Sequence, residues 1–204
     1  LIIEHLEAVE RGEIKRLLIC MPPRRGKSLL ASEYFPAWFL GRNPDKAIIA
    51  CSHTANLAYR FSRKVRRQVA SDHWPFRSVS LRRGEANVQR WGIEGRQGGY
   101  QAAGVGGSIT GDGADILIID DPVKGREHAD SAARRDMIGE WYQSDALTRL
   151  SPDGAVILIQ TRWHEDDLAG RQLSAMGEGG DQWTVLSLPE IAEEGEPDAL
   201  GRLP

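Results

Sequence analysis

Four short apolar runs punctuate the chain: Arg16 to Met21 (RLLICM), Lys46 to Ser52 (KAIIACS), Ala114 to Asp120 (ADILIID) and Ala155 to Gln160 (AVILIQ). An apolar run without polar alternation fits a strand covered on both faces, which is the habit of parallel sheets. Helix-length segments separate the runs. Residues 1–11 read as an amphipathic helix with Leu1, Ile2, His5, Leu6 and Val9 on one side. Residues 27–40 read as a helix ended or interrupted near Pro36, followed by helices over 54–70, about 130–149 and 166–176. Short strands are expected near 87–93 and 99–103, inside a Gly-rich irregular stretch over 74–113, and a last strand near 183–188. This alternation predicts an α/β chain with a mostly parallel central sheet and helices on both faces.

At 204 residues the chain fits one sizeable domain, able to bury a core without staples. We assign that domain to residues 1–188. The acidic, Pro- and Gly-bearing end, 189–204, reads as a linker. Hydrophobic residues make up 41% and charged residues 27%, which excludes a disordered or collagen-like chain. No apolar run reaches the roughly 18–20 residues of a membrane span. Cys20 and Cys51 are the only cysteines and lie far apart, which excludes a disulfide scaffold and points to a reducing compartment. The sequence opens on Leu1 without a charged, then apolar, leader, so a signal peptide is not expected and the chain reads as part of something longer.

The net charge of −3 hides a basic middle and an acidic end. Residues 54–96 carry Arg60, Arg63, Lys64, Arg66, Arg67, Arg77, Arg82, Arg83, Arg90 and Arg96 against Asp72, Glu85 and Glu94. From 178 onward the order reverses, with seven carboxylates against Arg202 alone. A basic stretch rich in Arg suits phosphate-bearing partners, and a solvated helix face is the plain alternative.

The segment MPPRRGKS, residues 21–28, joins the first apolar run to the first long helix. That is the context of a phosphate-binding loop. Gly26 lets the backbone approach a phosphate, and the amides at the helix start point toward it. Lys27 is spaced to reach the β- and γ-phosphates of a nucleoside triphosphate, and the Ser28 hydroxyl to hold Mg²⁺. Met21 stands where the usual pattern has its first Gly. Arg24 is the candidate for stabilising charge on the γ-phosphate in the transition state, in preference to Arg25, which adjoins Gly26. Pro23, Arg24, Arg25, Gly26, Lys27, Ser28 and Leu29, with Thr161, form the candidate nucleotide-binding set.

Two adjacent carboxylates, Asp120 and Asp121, end the third apolar run. Asp120 is placed to join Ser28 in holding Mg²⁺, and Asp121 to orient and deprotonate the attacking water. Gln160, Thr161, Arg162 and Trp163 end the fourth run, where a polar residue would sit beside the γ-phosphate. His164, Glu165, Asp166 and Asp167 fit helix capping better than a metal cluster. Ser52 and His53 end the second run and are candidates for touching nucleotide or DNA. Gly104, Gly106, Gly107, Gly111 and Gly113 make either a mobile loop or a set of tight turns.

Together these segments resemble the ATPase domain of the large terminase subunit, the DNA-packaging motor of tailed bacteriophages. The resemblance rests on PPRRGKS (22–28), GVGGSITGDGADILIIDDPVK (104–124), TRWHEDDLAGR (161–171) and IIACSHTANLAYRFSRKVRR (48–67), and spans about residues 14–188. It implies a P-loop NTPase fold of the ASCE type and Mg²⁺-dependent ATP hydrolysis coupled to translocation of double-stranded DNA into a procapsid. It also implies a homo-oligomeric ring on the portal protein, a small terminase subunit as partner, and action in the cytoplasm of the infected or lysogenic host rather than in the mature virion. In isolation the expected state is a monomer.

A nuclease domain normally follows in this family, and no later carboxylate cluster here could form its two-metal site, so nuclease activity is not expected of this chain. The adenine-contacting Gln of the family has no counterpart, since the first Gln is Gln68. A ring would need an arginine supplied in trans. Arg82, Arg83, Arg90 and Arg96 are candidates, with Arg134 and Arg162 further possibilities. Two other readings remain open: a helicase-like nucleic-acid remodeller, and a module in which nucleotide only orders a DNA- or protein-binding surface.

Overall fold

The computed structural model describes residues 1–84, 87–109 and 113–189. The expected linker beyond residue 189, and Gly111, lie outside these described residues. Seven strands form one sheet: β1 (Arg16–Cys20), β2 (Ala47–Ser52), β3 (Arg90–Gly92), β4 (Gly99–Gly104), β5 (Ala114–Asp120), β6 (Leu150–Gln160) and β7 (Thr184–Ser187). Their order is β3-β4-β2-β5-β6-β1-β7, and every pairing is parallel except the β3–β4 hairpin at one edge. The four apolar runs are thus the four central strands, and β6 lies between β1 and β5.

Strand alternation divides the core. Leu17, Ile19, Ile48, Ala50, Ile116, Ile118, Ile157 and Ile159 face one side, where they pack with helix α1 (Ile2–Glu10), α2 (Phe35–Arg42) and α3 (Ala55–Val69) through Leu6, Phe39 and Val65. Leu18, Cys20, Ile49, Cys51, Leu117, Ile119, Val156 and Leu158 face the other. There α5 (Ala132–Trp141) and α6 (Leu168–Met176) cover them through Ile138, Trp141 and Leu168, and the short α4 (Arg126–Asp130) precedes α5. Both cysteines are buried and free, and burial pushes the Cys51 thiol up to about 12.

The helix after the loop is interrupted near Pro36 and does not end there. Residues Leu29–Tyr34 form a π-helical turn that passes directly into α2, and the Phe35 N–H bonds back to the Leu30 carbonyl. This five-residue step comes just before Pro36, which has no N–H to place in the ladder, so the helix runs through to Arg42. The helix expected over 130–149 is instead α4, α5, a π turn over Tyr142–Ala146 and a 3₁₀ turn over Leu147–Arg149. β6 begins at Leu150, five residues before its apolar run.

The edge hairpin is pinned to α3. Trp91 and Tyr100 are paired in register and stacked, with ring centroids 5.4 Å apart. The Trp91 indole N–H donates to Ser62 Oγ of α3 at 3.0 Å, and Ser62 donates to the Val88 carbonyl at 2.5 Å. Thr54 caps α3, its side chain accepting from the Leu57 N–H.

Candidate nucleotide site

The parallel strands all end at one edge of the sheet, and the candidate residues follow those ends. The loop leaves β1 at Cys20, and helix begins at Lys27 and Ser28. Two non-glycine residues among those described have positive φ, Arg24 at 63° and Asp121 at 44°. Both belong to this edge, and such conformations concentrate where function constrains the backbone. Gly26 has φ of 91°, which a side chain resists, so the sequence needs glycine there. A cavity of about 290 Å³ is lined by Pro23, Arg24, Gly26, Lys27, Ser28, Leu29 and Asp121. Arg25 is not among its lining residues.

Lys27 is buried and is held from two sides. Its Nζ donates to Thr161 Oγ1 at 2.8 Å and lies 2.9 Å from Asp121 Oδ2. The other Asp121 oxygen accepts from the Thr161 backbone N–H at 2.7 Å. The loop lysine, the second carboxylate and the residue after β6 therefore form one closed triangle. It depends on β6 lying between β1 and β5, with Cys20 in register with Gln160 and Asp120 with Ile159.

Asp120 sits deeper, 2% exposed. Its Oδ1 accepts from Ser28 Oγ at 3.1 Å and its Oδ2 from Ser32 Oγ at 2.5 Å. Burial pushes its pKa up to about 6 and the neighbouring Asp121 charge adds to this, while Ser32, Ser28 and Lys27 oppose it. Asp120 and Ser28 present hard oxygen ligands side by side, next to the loop that would bring phosphate oxygens. Mg²⁺ keeps most of its shell as water and phosphate and takes one or two protein oxygens, so this donor set suits it. Among the described residues no group of three or more His, Cys, Asp or Glu gathers into an all-protein metal cage.

Ser32, which the sequence reading did not single out, joins the site together with His53 and Gln160. Ser32 lies one turn after Ser28, and the i, i+4 spacing of the two serines was the available signal. His53, weighed for nucleotide or DNA contact, reaches Asp121: its backbone N–H donates to the Asp121 carbonyl at 3.3 Å and its ring Nδ1 lies 3.2 Å from the same oxygen. Gln160 is buried, and its Oε1 accepts from the Ala169 N–H at 3.3 Å, tying β6 to α6.

The segment after β6 caps α6. Asp167 is fully buried, accepts from the Gly170 N–H at 2.9 Å, and pairs with Arg162 Nε at 2.9 Å. Arg162 is therefore engaged within the chain. The other proposed arginines lie elsewhere. Arg82, Arg90 and Arg96 line a polar cleft of about 1030 Å³ beside Ala47, Gly99 and Asp115, where the parallel strands begin. Strands of six or seven residues put that cleft about 20 Å from the loop. Arg82 donates to the Arg96 carbonyl at 2.7 Å, Arg96 pairs with Asp45, and the Arg83 backbone N–H donates to Glu94. Arg134 lies in α5, on the sheet face opposite α3.

Similarity to known proteins agrees with this geometry. The large terminase from HK97 bacteriophage superposes with a TM-score of 0.61 at 16% identity, over 93% of this chain and 39% of that one. The large terminase ATPase domain of Thermus phage P74-26 gives 0.53 at 18% identity, over 76% of this chain and 62% of that one. The large terminase from a further thermophilic bacteriophage, in complex with ATP-gamma-S, gives 0.57 at 15% identity, over 92% of this chain and 43% of that one. The chain thus spans about two fifths to three fifths of the length of these proteins, and at such identities the likeness establishes the shared P-loop fold. No curated protein matches the sequence. Residues 18–199 match the family described as terminase large subunit, T4likevirus-type, N-terminal, and the chain belongs to that family.

Proposed function

We propose that this chain is the ATP-hydrolysing motor domain of a viral large terminase, which drives double-stranded DNA into a procapsid. The observation that carries this reading is the triangle of Lys27, Asp121 and Thr161 beside the Ser28–Asp120 pair, all at the end of a phosphate-type loop. Family membership supports it, as do the ATP-gamma-S and ADP complexes of the thermophilic bacteriophage terminase.

In this reading the loop amides and Lys27 hold the β- and γ-phosphates, and Leu29 follows them along the helix. Ser28 and Asp120 would hold Mg²⁺, which neutralises charge on the phosphate oxygens when bound. A γ-phosphate reaching Lys27 replaces Asp121 as its anionic partner. The freed Asp121 carboxylate then accepts a proton from water as the water oxygen bonds to the γ-phosphorus. The bond from that phosphorus to the β,γ-bridging oxygen breaks, giving ADP and inorganic phosphate. Arg24 lines the cavity, makes no ion pair among the described residues, and is positioned to stabilise charge on the equatorial oxygens. Thr161, bonded to both Lys27 and Asp121, registers which partner Lys27 holds.

The motor works as a ring on the portal protein, with a small terminase subunit and an arginine supplied in trans, in the cytoplasm of the bacterial host. Among the described residues no helix is long and apolar enough to cross a membrane. Steady-state ATP hydrolysis over a wide range of protein concentration, with Lys27→Ala alongside, tests the proposal. A rate per subunit that rises with concentration and disappears in the variant supports a site completed between subunits. Normal turnover in Lys27→Ala removes the site assignment, and tight binding without hydrolysis in the assembled state selects a nucleotide-gated binding module.

A further inference from the structure

Helix α3 carries five cations and no acid: Arg60, Arg63, Lys64 and Arg67 on its solvent side and the half-buried Arg66 beside its buried face. At about 100° per residue, Arg63, Arg67, Arg60 and Lys64 fall in that order across one arc of about 100°. Ala58, Phe61, Ser62, Val65 and Val69 fill the opposite, buried arc. Lys64 is neutralised by Glu33, its Nζ 2.6 Å from Oε1. Arg60, Arg63 and Arg67 are exposed and make no ion pair or side-chain hydrogen bond among the described residues. Some exposed cations elsewhere are matched, as Arg11 is by Glu13 and Arg42 by Glu10, and others, such as Arg24 and Arg134, make no ion pair among the described residues; α3 differs in gathering three such guanidiniums on one arc of one helix. A ridge of unmatched guanidiniums on a chain with net charge −3 is a local field with one sign.

We infer that this ridge grips the phosphate backbone of the translocated duplex, an inference that rests on the motor reading above. Arg60 to Arg67 spans about 10 Å at 1.5 Å per residue. Each strand of duplex DNA carries one phosphate per about 3.4 Å of helix axis, so three long guanidinium side chains spread over about 10 Å have two or three phosphates within their reach. Arg suits this contact because its planar fork binds phosphate oxygens in pairs. Contacts to phosphate carry no sequence information, which fits a partner whose sequence changes continuously as it moves. The platform is tied down, since Ser62 is bonded to Trp91 of the edge hairpin and to Val88 just before it. It also begins next to the candidate site. The residue before its Thr54 cap is His53, which contacts the Asp121 carbonyl.

The test measures anisotropy of a labelled 30-bp duplex of arbitrary sequence against the whole chain, from 50 to 200 mM KCl. The variants are the triple Arg60→Ala, Arg63→Ala, Arg67→Ala, the matching triple to Lys, and Arg11→Ala with Arg42→Ala as controls. Each lost phosphate contact removes about 0.9 from the slope of log K against log salt. The Ala triple is expected to lower the slope by about 2–3 and weaken binding about 10-fold or more at 100 mM salt. The Lys triple keeps most of the slope, the controls are unchanged, and ATP affinity is the same throughout. A wild-type slope in the Ala triple overturns the inference and leaves the motor reading standing. An absence of duplex binding by the wild type at 50 mM salt, with ATP still hydrolysed, overturns both the ridge and the DNA part of the motor reading. Loss of self-association in the Ala triple without change in duplex binding assigns the ridge to contacts between copies and also overturns the inference.

Discussion

Lys27 Nζ lies 2.9 Å from Asp121 Oδ2, so the residue expected to hold phosphate is paired with the residue expected to activate water. The lysine side chain is 4% exposed and the aspartate 28%. Breaking a pair with one buried member is costly unless another anion takes the vacated place. A triphosphate is such an anion. In the proposed mechanism the pairing links substrate arrival to release of the carboxylate, with Thr161 bonded to both partners.

Asp121→Asn removes the charge but keeps an oxygen for the Thr161 N–H. ATP binding should be retained or tightened, because Lys27 no longer has a competing carboxylate. Turnover should fall by about 10²–10⁴-fold, the usual contribution of a positioned base. Single-turnover hydrolysis beside equilibrium binding of a fluorescent ATP analogue separates the two. A rate within a few-fold of wild type assigns the base to another group.

Ser32→Ala deprives the buried Asp120 Oδ2 of its donor. An unsatisfied buried acceptor costs about 1–3 kcal/mol, or roughly 2–12 °C in melting temperature for a chain of this size. The pH dependence follows from the raised pKa of about 6. A carboxyl raised above its unfolded value of about 3.9 contributes stability that is full below that value. The contribution is lost as pH rises through about 6. Ser32 favours the charged form, so its removal raises the pKa further and extends the loss to higher pH. Melting temperature between pH 4 and 8 without Mg²⁺ should show Ser32→Ala diverging from wild type as pH rises, with Ser32→Thr restoring it. Parallel curves would place the destabilisation elsewhere.

What was legible in the sequence divides along one physical line. The central strands are buried on both faces, so their identity is written locally in unbroken apolar runs, and Ala114–Asp120 matches its run residue for residue. The phosphate loop and the Asp120–Asp121 pair are likewise contiguous. Ser32 and His53 depend on elements that meet only in the folded sheet, through contacts 88 and 68 residues apart. The spacing of Ser32 from Ser28 hinted at a shared face but not at what that face would meet. Near Pro36 the sequence left open whether the helix ends or is interrupted; the structure shows interruption by a π turn over Leu29–Tyr34, with helix continuing to Arg42.

His53→Ala removes the ring beside the Asp121 carbonyl but leaves the backbone bond. Asp121 holds a φ of 44° immediately before Pro122, a combination that its surroundings must impose. In the proposed mechanism His53 positions the base, and its loss should lower kcat about 10–100-fold through misplacement of Asp121. KM for ATP should stay within about twofold, since His53 is not among the residues lining the loop cavity. His53→Asn, which retains a side-chain donor, should recover part of kcat. Equal losses in kcat and in ATP affinity would mean that His53 supports the loop itself.

Arg162 and Asp167 close the turn between β6 and α6, and their separation is 2.9 Å with the aspartate side chain fully buried. Arg162→Ala leaves that carboxylate with the Gly170 N–H as its remaining hydrogen-bond partner among the described residues. An uncompensated buried charge costs about 3–5 kcal/mol. Asp167→Asn removes the charge and keeps the cap, so it should cost less, and the double variant should be no worse than Arg162→Ala alone. Gly170 belongs to the same turn: a Cβ there would stand 1.7 Å from the Glu165 carbonyl oxygen, so Gly170→Ala must shift the segment. Because Gln160 Oε1 holds the Ala169 N–H and Thr161 follows directly, that shift should reach Lys27 and lower ATP turnover as well as stability. Urea denaturation of the four variants, with turnover measured on each, checks the order. Additive losses for Arg162 and Asp167 would show that the two side chains act independently.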